Sequence, residues 1–538
     1  LAAYLGGGGP ERVRGRLTAR ADVRGGLSGS LEVAGHLRWT QGEVAWPNVL
    51  GRPVTGLTLA TEGRFRRESG RVRLALADLA LSRAGVTVNA DGELIWDAER
   101  GAPRVDARAR LGDVSVAELR PLLGLAPIPP GVSQWLQRGL AEGRLTAAEA
   151  RLRGPLDRFP YPDGEGEFRV EADLADVRLA YHPRWPAVTA LSGRLTLDRT
   201  RLAFQAEGGR IMGTPLGEAG FTIHDVSANP PELRLQGAMD LALRDGIRFL
   251  AASPLQETGF LGPATLSGPA HLELDLALPL GGDAQPDIAG RLALKGARFR
   301  ARPEVPPLEA VTGDVAFSEQ ALRSRELTGR VLGESVSLSL DRSGNKPLTA
   351  KLSGRFPAAL LREQLRRRGV DFPLEHRVNG VLATDLAVIW GEEQRHFRLE
   401  ADLRELALAV PEPAFKAHGD PGSLVLNGDL RDGLDLRGRL KTPTDALRLR
   451  YPSDGELGLG IGCGQPAPAP RPGHVRIAGE LPRLPLRQWL ELAQRLPSSG
   501  PGRSDLPHLA VELAMTDVRW GRTSLGEGRL MLRGRPEP

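Results

Sequence analysis

Cysteine is nearly missing from this chain. Cys463 is the only one in 538 residues, so no disulfide can close within the sequence and no cysteine-based metal cluster can assemble. Aromatic residues reach only 5%, little for a protein that fills compact cores with large rings. A surplus of one charge is missing as well. The 71 basic and 66 acidic residues leave a net +5, which offers nucleic acid or another polyanion no broad footprint. Lysine is confined to Lys295, Lys346, Lys351, Lys416 and Lys441, and arginine supplies the remaining positive charge. No run approaches the roughly 20 apolar residues of a membrane-spanning helix, and no signal peptide is visible. The nine histidines are scattered, with no pair at metal-ligand spacing on a helix. Neither a metal nor a cofactor is expected.

What fills the chain is alternation. In the stretch 159–197, Phe168, Val170, Ala172 and Leu174 share one side of a strand, and Arg169, Glu171 and Asp173 share the other. After Ala175 and Asp176 the phase flips, and Val177, Leu179 and Tyr181 carry the apolar side onward. Period-two alternation marks a sheet with one apolar and one wet face, and the flip reads as a bulge that keeps the apolar side in place. Leu31, Val33, Leu37 and Trp39 repeat the pattern, as do Val72, Leu74 and Leu76. Leu272, Leu274, Leu276 and Leu278 alternate with Glu273 and Asp275, and Leu434 and Leu436 open a further strand. Glycine and proline punctuate the runs at the spacing of short strands.

Helical signals are few. Ser115 and Glu118 form a capping-box pattern at the start of 115–123. Short helices are also expected at 133–140 and 245–252. The segment 358–368 pairs Glu363 with Arg367 at i,i+4 and meets Gly369 as a stop. The segment 485–496 places Leu486, Trp489, Leu490, Ala493 and Leu496 on one side. A weak internal repeat matches the run from Val188 to the run from Val311. Its spacing drifts, so a strict solenoid is not expected.

The fold class expected is therefore mostly β: a long, curled antiparallel sheet forming an open apolar groove (a β-taco), with a few short amphipathic helices. Strands of about eight residues would span roughly 26 Å and sit about 4.8 Å apart. One continuous architecture is expected, divided as groove segment 1–114, helical insertion 115–143 and groove segment 144–357 with its short helix at 245–252. A helix at 358–369, a groove segment 370–461, a flexible loop 462–473 and a groove segment 474–538 with the helix 485–496 complete it. An open apolar trough needs an occupant, and an acyl chain fits: each CH₂ moved into water costs about 0.8 kcal/mol. The lining residues expected are Phe168, Val170, Leu174, Val177, Leu179, Tyr181, Leu272, Leu274, Leu276, Leu434 and Leu436.

Several short patterns, taken in order along the chain, resemble the central region of the YhdP group of AsmA-like proteins, relatives of TamB. They are Phe159-Pro160, 166–168, 179–181, Trp185-Pro186, 191–193, Phe249-Leu250 with Ser253-Pro254-Leu255, and the LSGPAHLELDLALPL run from Leu266. The segments 313–317, 329–333 and 385–390 add to them. The resemblance implies a non-catalytic, bridge-like lipid-transfer protein of the periplasm. It would move phospholipid between inner and outer membranes, contribute to outer-membrane biogenesis and barrier integrity, and be held by an N-terminal inner-membrane helix outside this sequence. Its partners would be phospholipid acyl chains, the two membranes and an outer-membrane or periplasmic protein, with no nucleic acid. The family carries no catalytic residues to transfer. The alternative is a TamB-like scaffold for outer-membrane protein assembly.

Other chemistry has weaker footing. Glu273 and Asp275 share a face as an acid/base pair would, but their alternation with leucines fits a solvated face. The glycines of GELGLGIGCGQ lack the spacing and the lysine of a phosphate loop and read as a strand end. Arg366 to Arg368 offer anionic headgroups a contact, or form a solvated helix end. Trp185, close between Pro183 and Pro186, reads as a structural corner. A secreted polysaccharide lyase on a β-helix would need a clustered acid/base set, and none is found.

Overall fold

The computed structural model describes residues 12–26, 30–45, 53–68, 70–97, 102–123, 130–181, 183, 185–252, 265–280, 286–301, 305–344, 346–367, 377–391, 394–409, 411, 416–431, 434–452, 457–495 and 508–534. Strands dominate, and the 32 among the described residues belong to one hydrogen-bonded sheet. The chain divides into two compact units, one made of Leu1–Gly262 with Ser267–Leu292, the other of Pro263–Leu266 with Ala293–Pro538.

The first unit begins with β1 (Arg12–Gly25), β2 (Leu31–Ala45), β3 (Val54–Glu68), β4 (Arg71–Arg83), β5 (Val86–Asp97), β6 (Arg104–Leu111) and the two-residue β7 (Val114–Ser115). After two helices come β8 (Leu140–Pro155), β9 (Glu167–Leu179), β10 (Val188–Asp198), β11 (Arg201–Ile211), β12 (Thr214–Pro215), β13 (Ala219–Ile223) and β14 (Glu232–Ala242). β16 (Pro269–Pro279) and the first residues of β17 (Asp287–Arg300) close it, while the short β15 (Thr265–Ser267) falls at the division between the units. The long strands pair antiparallel in chain order, with β7, β12 and β15 as short side pieces. They are longer than the eight residues expected: β2 and β3 have 15 and β8 has 16, about 50 Å of extended chain.

Such strands stay in one curled sheet because they are bent by bulges. Gln41, Asp78, Asp176 and Ala190 adopt φ of 54°, 50°, 52° and 49°, where a residue with a Cβ seldom sits. The register slips beside each of them. At Asp176 the extra residue restores Val177 and Leu179 to the apolar side, opposite Leu191 and Val188. This is the bulge that the phase flip implied.

The helices of this unit are α1 (Val116–Leu123), α2 (Pro130–Gly139) and α3 (Leu243–Ala251). The capping box forms as expected: the Ser115 amide donates to the Glu118 carboxylate at 3.0 Å, and the Glu118 amide donates to Ser115 Oγ at 3.2 Å. α1 follows β7, α2 leads into β8, and α3 follows β14. The antiparallel pairing puts these three strand ends on the same rim.

The second unit holds the rest of β17, then β18 (Leu308–Ser318), β19 (Ala321–Val331), β20 (Glu334–Ser343), β21 (Leu348–Pro357), α4 (Ala358–Arg367), β22 (Val378–Trp390), β23 (Arg395–Asp402) and β24 (Leu406–Leu408). It continues with β25 (Ser423–Asp429), β26 (Asp435–Lys441), β27 (Asp445–Tyr451), β28 (Gly458–Cys463), β29 (His474–Leu481), β30 (Leu484–Pro485), α5 (Leu486–Arg495), β31 (His508–Trp520) and β32 (Thr523–Gly534). Gly369, expected to stop α4, and Leu496, expected on α5, lie outside the described residues.

Pairing is antiparallel as far as β28. Three pairings then depart from that pattern: β28 with β29, β29 with β31 and β30 with β31 run parallel. A parallel neighbour requires the chain to travel back along the strand. Residues 464–473 do so, running back alongside β28. The alternating glycines of β28 make room: a Cβ at Gly458, Gly460 or Gly462 would fall 2.5, 2.1 or 2.3 Å from the carbonyl oxygens of Arg471, Pro468 and Gln465. Prolines suit the crossing, being extended and having no N–H to leave unpaired. Within 462–473, the segment expected to be a flexible loop, residues 462–463 belong to β28 and Ala467 is only 4% exposed.

The internal repeat is more regular than the sequence match implied. Val188 and Leu308 each open an eleven-residue strand, 120 positions apart (308 − 188). The next strands start at Arg201 and Ala321, again 120 apart. Ala190 and Ala310 carry φ of 49° and 50°, and the turns Met212-Gly213 and Leu332-Gly333 match in backbone sign at both residues. The correct register therefore starts at Leu308, three residues before the Val311 alignment.

Candidate functional site

The feature that distinguishes this sheet is the composition of one face. In the first unit, cross-strand register sets Leu17, Trp39, Leu59, Leu81, Val88, Leu111, Ala148, Ala172, Leu195, Phe204, Phe221, Leu235 and Leu276 side by side on successive strands. No polar side chain interrupts this row, which runs about 60 Å at the usual strand spacing. A second row beside it reads Ala90, Ala109, Ala150, Val170, Leu197, Leu202, Ile223, Leu233 and Leu278.

The second unit has its own row: Leu327, Leu338, Leu352, Leu386, Leu399, Leu426, Gly438, Leu449, Leu459, Val475 and Leu509. It passes through the antiparallel and parallel regions without a break, because residues paired directly across a ladder share a face in either geometry.

The opposite face is charged and paired with itself. Arg194 donates to Asp173 at 2.8 Å on the facing strand, Arg169 holds Glu171 at 2.6 Å and Arg234 holds Glu232 at 2.7 Å. Asp275 accepts from Gln236 at 3.1 Å, and Glu273 lies 4.0 Å from the His271 ring. The two carboxylates considered as an acid/base pair therefore belong to this wet face. A shallow cavity of about 1140 Å³ on the same side of the second unit is lined by Thr328, Ser335, Ser337, Ser353 and Asp385 together with apolar residues such as Val336 and Val381.

Of the residues expected to line the groove, Phe168, Val170, Leu174, Leu272, Leu274 and Leu436 sit on the apolar face and are half-buried. Leu276 also lies in the row but is 3% exposed, and Leu434 precedes β26 and is 40% exposed. Val177, Leu179 and Tyr181 are 0%, 6% and 7% exposed. They are covered by the chain itself: Trp135 of α2 donates its indole N–H to the Tyr181 carbonyl at 3.0 Å.

An aromatic cluster at the helical rim was not legible in the sequence. Trp135 meets Phe221 edge-on at 5.6 Å, Phe221 stacks on Phe204 at 5.5 Å, and Trp185 meets Tyr181 at 6.4 Å and Phe249 of α3 at 5.5 Å. Trp185 is thus a corner residue that anchors α3. Phe249 lies 64 residues further along the chain (249 − 185), too far to share a motif with it.

Cys463 is buried opposite Asp445, and burial, reinforced by that carboxyl, pushes its thiol up to about 11. Among the described residues, no three His, Cys, Asp or Glu side chains converge to hold a metal ion. No helix among them is long and apolar enough to cross a membrane.

The family model described as YhdP protein matches residues 20–533. Among curated proteins, the chain is 23% identical over 294 residues to the intermembrane phospholipid transporter YhdP of Escherichia coli strain K12. That match covers 53% of this chain and 23% of the length of the relative. No solved structure matches the chain.

Proposed function

The chain belongs to the YhdP family, and on that premise we propose that its apolar sheet face carries phospholipid acyl chains between an inner and an outer membrane. The observation that supports this most strongly is the uninterrupted row from Leu17 to Leu276, matched by the row from Leu327 to Leu509 in the second unit. Both are polymer-length apolar tracks backed by a face of paired charges.

A lipid leaving a bilayer for water faces a barrier of order 20 kcal/mol, at about 0.8 kcal/mol per CH₂. A continuous apolar face lowers that barrier at every step without a reactive group. Rows one strand apart, about 4.8 Å, give an acyl chain successive contacts of nearly equal energy. Sliding along them then meets no deep trap. In this reading the protein is not an enzyme, works in the periplasm, and is held to the inner membrane by a helix outside this sequence. It thereby contributes to outer-membrane biogenesis and barrier integrity.

The contacts are to be found at Phe168, Val170, Leu174, Leu272, Leu274 and Leu436. Purification of the chain from cells, followed by mass spectrometry of the extracted lipid, tests the reading. Co-purifying phospholipid is expected, and a lipid-free protein would contradict it.

A further inference from the structure

The rim of the second unit carries a cavity that the apolar rows do not explain. It encloses about 770 Å³ between the end of β17, the loop leading into β18, the β19–β20 turn and α4. Arg298, Arg300 and Arg367 line it together with a single carboxylate, Glu309. Arg298 holds Glu309 at 3.1 Å, and Glu309 also faces Arg330 across the β18–β19 ladder. Arg367 pairs with Glu363 at 2.9 Å. Among the lining residues, three guanidinium groups face one carboxylate, a net +2 (3 − 1).

The remaining wall is apolar: Val305, Pro306, Pro307 and Leu332. Val305 is 46% exposed beside these charges. On β17 the alternation puts Ala297, only 2% exposed, on the face opposite Arg298. The β17 arginines of the cavity therefore lie on the charged side, at the strand end where the loop into β18 and α4 form the rim.

We propose that this rim cavity binds the phosphate of a glycerophospholipid headgroup, a proposal that rests on the acyl-chain reading above. Guanidinium forks match phosphate oxygens in bidentate geometry, and a phosphodiester carries one negative charge against the surplus of two. A soluble phosphate would gain nothing from Val305, Pro306 and Leu332. A glycerol backbone with the first carbons of its chains would cover them. The site would hold the headgroup at the rim while the chains lie on the apolar face.

The test uses the whole chain and two probes with the same fluorescent acyl label, phosphatidylglycerol and diacylglycerol. The triple variant Arg298→Gln, Arg300→Gln, Arg367→Gln is expected to bind phosphatidylglycerol at least tenfold more weakly, with diacylglycerol binding unchanged. The variant Glu309→Gln removes the competing carboxylate and is expected to bind phosphatidylglycerol more tightly. Circular dichroism checks that each variant is folded. If the triple variant does not fold, a Glu309→Gln protein that binds no more tightly overturns the site by itself. Diacylglycerol bound but phosphatidylglycerol affinity unaltered by the triple variant also overturns it. Failure of the unaltered protein to bind either probe overturns the acyl-chain reading instead. Glycerol 3-phosphate binding as tightly as phosphatidylglycerol would make the ligand a soluble phosphate and overturn the headgroup assignment.

Discussion

Phe204 and Phe221 stack with ring centroids 5.5 Å apart and planes 20° from parallel, directly opposite each other across β11 and β13. This pair joins the apolar row to the helical rim, because Trp135 of α2 meets the Phe221 edge. Truncation of a buried phenylalanine to alanine costs about 3–5 kcal/mol. A sheet this long need not unfold as one unit, so the loss is expected to be local. Phe221→Ala should weaken amide protection in β13 and its neighbours by at least about 100-fold, with β3 and β4 unchanged, as read by hydrogen exchange. Equal protection in both regions would show that the stack does not hold this part together.

Gly460 is required by the backbone that crosses it. Its missing side chain leaves room for the Pro468 carbonyl, which would stand 2.1 Å from a Cβ. Gly460→Val should lift residues 464–473 off β28 and loosen the parallel pairing with β29. Limited proteolysis is the direct measure: cleavage within 464–473 should accelerate at least tenfold. A cleavage rate equal to the unaltered protein would mean that the segment does not depend on this contact.

Lys416 is 2% exposed, and its ammonium donates to the Leu406 and Ala417 carbonyls at 2.7 and 3.2 Å. Burial lowers its pKa below the usual lysine value, against the opposing pull of Asp420 and Asp402. Between the lowered folded value and the ordinary 10.5, the unfolded chain binds more protons than the folded one. Stability carried by this group must then rise with pH across that window. Urea midpoints measured from neutral to alkaline pH should show the rise in the unaltered protein and a flatter profile in Lys416→Met. Parallel profiles would contradict the assignment.

The groove face was legible in the sequence because burial of one face imposes a period of two, and Val170 or Leu274 cannot change sides without a bulge. Asp176 announced its bulge through the phase flip. The glycines of β28 were equally visible, but their purpose was not, since the backbone that needs the space arrives after a change of direction that no period encodes. The parallel pairings were hidden for the same reason. Sequence identity aligned Val188 with Val311, whereas the structural repeat is set by Ala190 and Ala310, whose left-handed backbone leaves no mark in the residue type. The rim cavity joins Arg298 to Arg367 across residues with no pattern in common. Only Arg367, as a member of the 366–368 cluster, had been singled out.

The central claim is that lipid lies on one face of the sheet and not on the other. A photo-reactive residue placed at Val170, Leu274 or Leu436, and in separate variants at Arg169, Asp275 or Arg439, measures this directly in cells. Crosslinked phospholipid is expected from the first three positions and not from the second three. Equal capture from both sets, or capture from neither, would contradict the account.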